Sequence, residues 1–172
     1  MKIESFGHIA DNNSKILILG TMPGKDSLKA GEYYGHHNNL FWDIMFRVCI
    51  PEWKCDEVVI ADYKTKKSLL ITNNIALWDV LKFCDRKESS LDKDIRNQIH
   101  NDFKTFFQDY PTIKVVFFTS KNAAKYFEEF RPEPLIFDDR IFITLQSTSP
   151  MNKTNSFKIL NDWMQIRRYF NN

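Results

Sequence analysis

Apolar residues along the chain fall into short unbroken runs separated by stretches of helical spacing. The first run, Lys15 to Leu19 (KILIL), ends at Gly20, as expected of a strand buried on both faces of a parallel sheet. A polar, aromatic loop from Thr21 to Asn39 follows. Leu40, Phe41, Ile44, Met45, Val48 and Cys49 then recur at helical spacing, with Asn38 placed to cap that helix and Pro51 to stop it. A second helix is expected from a cap at Asp56 through Val58, Val59, Ala61 and Tyr63 into the basic run Lys64, Lys66 and Lys67. Asn73 and Asn74 read as its left-handed terminator.

The second strand is read over Ile75 to Val80 (IALWDV). Lys82 to Asn97 is polar and charged, with serines at Ser89 and Ser90, and reads as a long loop with one short helix. Phe103, Phe106, Phe107 and Tyr110 share one helical face, which predicts a helix opening at Asn101 and broken at Pro111. Lys114 to Phe118 is the third strand. A helix over Lys121 to Phe130 uses Ala123, Ala124, Phe127 and Phe130, Pro132 and Pro134 mark a turn, and Ile141 to Leu145 is the fourth strand. Thr154 to Phe170 is a closing amphipathic helix on Phe157, Leu160, Trp163, Met164 and Phe170.

Strands alternating with helices imply parallel pairing through right-handed crossovers, hence an α/β fold: a three-layer α/β/α sandwich around a mainly parallel four-stranded sheet. Ligands of such sheets bind beyond the carboxyl ends of the strands. Two polar loops qualify, Thr21 to Asn39 and Gln146 to Lys153 (QSTSPMNK), and they are expected to converge on one site.

Composition narrows the class. The 172 residues, 43% hydrophobic and 27% charged, suit one globular domain over 1–172. A net charge of +2 and a pI near 8.4 place any nucleic-acid affinity in a local patch and not in a global field. No stretch resembles a signal peptide and none reaches about 18 apolar residues, so a cytoplasmic protein without a membrane span is expected. Cys49, Cys55 and Cys84 contain no C-x-x-C pair and are too few for a cluster held by thiolates alone, so they read as buried thiols. No metal and no cofactor is expected.

The known phosphate and hydrolase signatures are absent. Gly20 to Lys25 supplies Gly-x-x-Pro-Gly-Lys, with the wrong glycine spacing for a P-loop and a proline where N–H donors are needed. No G-x-S-x-G elbow presents Ser147 or Ser149 as a nucleophile. His36 and His37 are adjacent, so in an extended loop they point to opposite sides and make no metal pair. The first loop does combine close-approach glycines (Gly20, Gly24, Gly35), flat rings (Tyr33, Tyr34, Phe41) and amides (Asn38, Asn39), a set suited to a flat, hydrogen-bonding heterocycle. Helix core explains Phe41 equally well, and a cap explains either asparagine but not both.

At these residues the chain resembles a known family. G-x-x-P-G over Gly20 to Gly24, Y-G-H-x-x-N-x-F-W over Tyr34 to Trp42 and S-T-S-P over Ser147 to Pro150 are similar to motifs of the uracil-DNA glycosylase superfamily. The resemblance is nearest to its hypoxanthine-DNA glycosylase (deoxyinosine glycosylase) branch, with the mismatch-specific uracil-DNA glycosylases next. It extends from GHIADNNSKILILG through IALWDV and Ser90 to Asp92 to the last helix. It implies a monofunctional, metal-free enzyme that flips a deaminated base out of DNA and hydrolyses its N-glycosidic bond, leaving an abasic site for base excision repair.

The bond breaks with oxocarbenium character, so such a site must favour departure of an anionic base and hold a water below the anomeric carbon. By resemblance, Gly20, Thr21 and Met22 form the pocket floor and Pro23 and Gly24 complete the turn toward DNA. Asn39 contacts the base or orients the water, Phe41 stacks on the base and Tyr34 closes the pocket. Met22 stands where mismatch-type relatives have an asparagine that positions water. Ser147 stands where many members have a histidine or asparagine assisting the leaving group, and a hydroxyl is a weaker oxyanion donor, which favours purine substrates and slow turnover. Ser149, Pro150, Met151 and Lys153 would press on the minor groove and phosphates, with Met151 as a wedge. The expected partner is DNA carrying hypoxanthine, or uracil or xanthine, bound by a monomer. A non-catalytic module of the same fold recognising damaged nucleic acid is the alternative, and a hydrolase of free nucleotides a third.

Overall fold

Four apolar runs assemble into one parallel sheet in the computed structural model, which describes residues 2–53, 61–87, 90–129 and 139–170. The expected cap at Asp56 with Val58 and Val59, Cys55, Ser89, Phe130 and the turn at Pro132 and Pro134 lie outside these residues. Strands β2 (Ile16–Gly20), β3 (Ile75–Asp79), β6 (Val115–Phe118) and β7 (Ile141–Thr144) stand in the order β3-β2-β6-β7, all parallel. Every residue of β2, β3 and β6 is buried, which explains why these strands show no alternation.

Adjacent side chains of β6 mark the two faces. Phe117 meets Tyr169, in a 3-10 helix over Met164–Tyr169, at 5.7 Å between ring centroids, whereas Phe118 meets Phe127 of α5 (Lys121–Glu129) at 5.2 Å. Helix α4 (Phe103–Asp109) shares the second face through Phe103 against Phe127. Helices α2 (Phe41–Cys49), α3 (Tyr63–Thr72) and α6 (Ser156–Trp163) pack together with the 3-10 helix on the first. The outcome is the expected three-layer α/β/α sandwich. Among the described residues no helix is long and apolar enough to cross a membrane.

Several expectations give way. The expected loop from Lys82 to Asn97 holds β4 (Leu81–Asp85), a 3-10 turn (Asp92–Asp94) and the start of β5 (Arg96–His100). With β1 (Lys2–Glu4) these strands form an antiparallel sheet in the order β1-β4-β5. A short helix, α1 (Lys25–Ala30), opens within the first polar loop and ends at Gly31, whose φ of 68° suits glycine. The closing helix is split into α6 and the 3-10 segment. The cap of α4 shifts by one residue, to Asp102, whose side chain accepts from the N–H of Thr105, while Asn101 donates from Nδ2 to the carbonyl of Asp79 at 2.8 Å; α3 is capped by Asp62 through the N–H of Thr65. Asn74, at φ 57°, is the left-handed terminator that the Asn-Asn pair suggested.

Candidate active site

The polar loops after β2 and β7 meet, as expected. Leu40 N donates to Thr148 O at 3.1 Å, and both loops line one cavity of about 1240 Å³ at the carboxyl edge of the sheet. Gly20, Thr21, Met22, Pro23 and Gly24 form one wall. Ser147, Ser149, Pro150 and Met151 form the opposite one. The carbonyls of Gly20 and Thr21 are consumed by the N–H groups of Val80 and Leu81, and that of Pro23 accepts from the buried Arg86 guanidinium, so the floor is rigid.

The β4–β5 connection braces this floor from below. Ser90 Oγ accepts from Lys25 N at 3.0 Å, and Asp92 Oδ2 accepts from Thr21 Oγ1 at 3.0 Å and from Asn122 Nδ2 at 3.2 Å. At the other wall, Gln146 N donates to Asp162 Oδ2 and Trp163 Nε1 donates to Gln146 O, which ties the second loop to α6. Within that loop Ser147 Oγ accepts from Ser149 N, and Asn152 Nδ2 donates to Ser147 O at 2.7 Å.

The two aromatic rings lie in the reverse of their expected order. Phe41 is 0% exposed and does not reach the cavity; Tyr34 lies flat on it, 3.8 Å between centroids and 10° between planes, and it is Tyr34 that lines the space. Phe41 opens α2 on its buried face, where Trp42 and Trp163 press edge-on against it. Tyr34 reaches this position from a left-handed backbone at φ 54° and donates from its hydroxyl to Thr119 Oγ1 at 3.3 Å. Tyr33, beside it, is held by Trp42 Nε1 donating to its carbonyl at 2.8 Å.

Asn39, and not Asn38, serves the helix. Asn39 Oδ1 accepts from Phe41 N at 3.0 Å, while Asn38 is exposed and donates from its backbone to His36 Nδ1. Asn39 is half-buried in the cavity wall, and its Nδ2 makes no hydrogen bond among the described residues. His36 and His37 do not diverge: the chain turns at this point instead of running extended, and their rings stack at 4.7 Å. Among the described residues no three His, Cys, Asp or Glu side chains are grouped to hold a metal. Met151 is 63% exposed at the rim, and Lys153 is exposed outside the cavity lining.

The sequence reading gave no role to two acids, one buried and one half-buried. Asp79 ends β3 and is 3% exposed in the cavity wall; burial pushes its carboxyl up to about 7, opposed by a hydrogen bond from Ser5 and by Arg86, and aided by the charge of Asp92. Burial likewise raises Asp92 against its hydrogen bonds from Thr21 and Asn122. A lone acid closing an apolar run at the carboxyl end of a parallel strand was the available signal.

Comparison with known proteins accounts for this arrangement. The chain matches the Uracil DNA glycosylase superfamily over residues 6–169. A hypoxanthine DNA glycosylase of Methanosarcina barkeri is 32% identical over 126 residues, 73% of this chain and 76% of that protein. A second hypoxanthine DNA glycosylase, of Methanosarcina acetivorans, is 30% identical over 168 residues, 95% of this chain and 97% of its own. The solution NMR structure of a candidate uracil DNA glycosylase from M. acetivorans superposes with a TM-score of 0.81 at 27% identity, covering 100% of both chains. With a parallel sheet, two motif loops meeting at its carboxyl edge and relatives that span nearly its whole length, the chain belongs to the uracil DNA glycosylase superfamily and is a DNA glycosylase, a hydrolase of N-glycosyl bonds.

Proposed function

We propose that this glycosylase excises hypoxanthine from DNA, with uracil and xanthine as poorer substrates, and so opens base excision repair as a cytoplasmic monomer of one domain. The observation that carries the reading is Asn39: its Oδ1 is spent on α2 and its Nδ2 donor is left for the cavity. A donor so placed suits the carbonyl oxygen of a flipped base. It is ill suited to activating water, which needs an acceptor for the water proton. Sequence reasoning left these two roles for Asn39 open, and the geometry favours contact with the base.

In this reading the extruded base enters between the Gly20–Gly24 wall and the Ser147–Met151 wall and lies on Tyr34, which Phe41 backs from beneath. Asn39 fixes the base by its oxygen while the C1′–N bond stretches toward an oxocarbenium ion, and water then attacks C1′. Ser147 offers a neutral hydroxyl near the departing ring, a modest donor that serves a purine better than a pyrimidine anion. Met151 fills the gap in the duplex, with Ser149, Pro150 and Lys153 against the backbone. Discrimination against adenine is expected from a donor aimed at a base oxygen, because adenine carries an amino group at that position.

The test is excision by purified protein on duplex oligonucleotides carrying one deoxyinosine, deoxyuridine or deoxyxanthosine, read by alkaline cleavage. Cleavage fastest at deoxyinosine is the expected result. Equal or faster cleavage at deoxyuridine would reject the assigned base.

A further inference from the structure

Asp79 belongs to neither motif loop. It is 3% exposed, and its carboxyl forms part of the cavity wall. Ser5 Oγ donates to Oδ2 at 2.9 Å, whereas Oδ1 has no hydrogen-bond partner among the described residues. Oδ1 lies 2.3 Å from the point where a Cβ on Gly20 would stand, and the Tyr34 hydroxyl lies 2.8 Å from the same point. The missing side chain of Gly20 therefore lets a carboxyl oxygen stand beside the ring on which the base would lie. Any other residue at position 20 would collide with it.

Charged and titratable groups face Asp79 from several elements. Asp92 and Arg86 come from the β4–β5 connection, Tyr33 and Tyr34 from the loop after α1, and Tyr63 from α3. Arg86 favours the carboxylate and Asp92 disfavours it; burial outweighs both, so the group is half-protonated at about pH 7. A neutral carboxyl with one oxygen held and the other open to a cavity is arranged to give a proton.

We propose that Asp79 is the general acid for the departing purine, passing the proton on Oδ1 to N7 of the flipped base. This rests on the reading that a 6-oxopurine occupies the cavity. The C1′–N9 bond breaks and its electron pair enters the imidazole ring. The proton moves from Oδ1 to N7, hypoxanthine leaves neutral, and water adds to C1′ of the sugar cation, losing its proton to solvent. Solvent then reprotonates Asp79. Neutral departure removes the need for a strong oxyanion donor, which explains how a hydroxyl at Ser147 suffices. Uracil has no N7 and gains nothing from this group.

Single-turnover excision across pH tests the assignment, using duplexes with 2′-deoxyinosine or with 7-deaza-2′-deoxyinosine, which lacks N7. On deoxyinosine the native rate should fall as pH rises through about 7, and Asp79→Asn should be slower by about 100-fold or more with a flat profile. On the 7-deaza duplex the ratio of native to Asp79→Asn rates should be near one, and the native profile should lose its fall. Ser5→Ala removes a hydrogen bond that favours the carboxylate and should move the fall to higher pH. An undiminished ratio on the 7-deaza duplex, or a native profile flat on deoxyinosine, overturns the proposal. If Asp79→Asn does not fold, the two native profiles and Ser5→Ala decide it. Absence of deoxyinosine excision by the native protein at every pH would instead sink the substrate reading beneath it.

Discussion

Asn39 does two jobs with two atoms, and substitution can separate them. Asn39→Asp keeps an oxygen for the N–H of Phe41 and deletes the Nδ2 donor, so stability should hold within about 0.5 kcal/mol while deoxyinosine excision is lost. Asn39→Ala deletes both, and should add a loss of about 1 kcal/mol in urea unfolding to the same loss of activity. If Asn39→Asp excises at the native rate, the amide is only a helix cap. Among single residues the sequence was a partial guide. Its motif marked Asn39, but the division of work within its amide turned on which atom faces Phe41, which spacing alone does not convey. The order of Tyr34 and Phe41 was hidden for a similar reason: a left-handed φ of 54° at a tyrosine reverses it, and no residue type announces such a backbone at tyrosine.

At the scale of elements, the sheet that carries the motifs was legible and the one that braces them was not. Strands β2, β3 and β6 are covered on both faces, so their apolar runs stand out. In β5 (RNQIH) the single large apolar residue, Ile99, is 53% exposed, and Asn97 takes a left-handed φ of 48°, so neither alternation nor propensity marks a strand. Yet the connection between β4 and β5 supplies Asp92, whose Oδ2 gathers Thr21 and Asn122. Asp92→Ala leaves both donors without their acceptor. It should cost about 1–3 kcal/mol in denaturant unfolding and speed proteolysis at the Thr21–Gly24 turn. Unchanged stability and cleavage would mean that Arg86 and Ser90 hold the turn without it.

For the whole molecule, Asp79 links the site to global stability. Its folded value of about 7 lies above the 3.8 of an unfolded aspartate, so its contribution is complete below about pH 4 and is lost as pH rises through about 7. The native protein should therefore lose of the order of 4 kcal/mol relative to Asp79→Asn between about pH 3 and about pH 8. Parallel urea titrations of the two proteins measure that gap, and a gap constant with pH would show that folding leaves the Asp79 carboxyl at its unfolded value. The hydrogen bond from Leu40 to Thr148 has a consequence in time as well as in space. It joins a loop from the first third of the chain to one that follows β7, and β7 is an edge strand of its sheet. While the protein is being synthesised, the early strands can pair long before the second wall of the cavity exists. A nascent chain thus has no complete base pocket until β7 and the loop after it have left the ribosome, and the power to cut bases from DNA arrives only then.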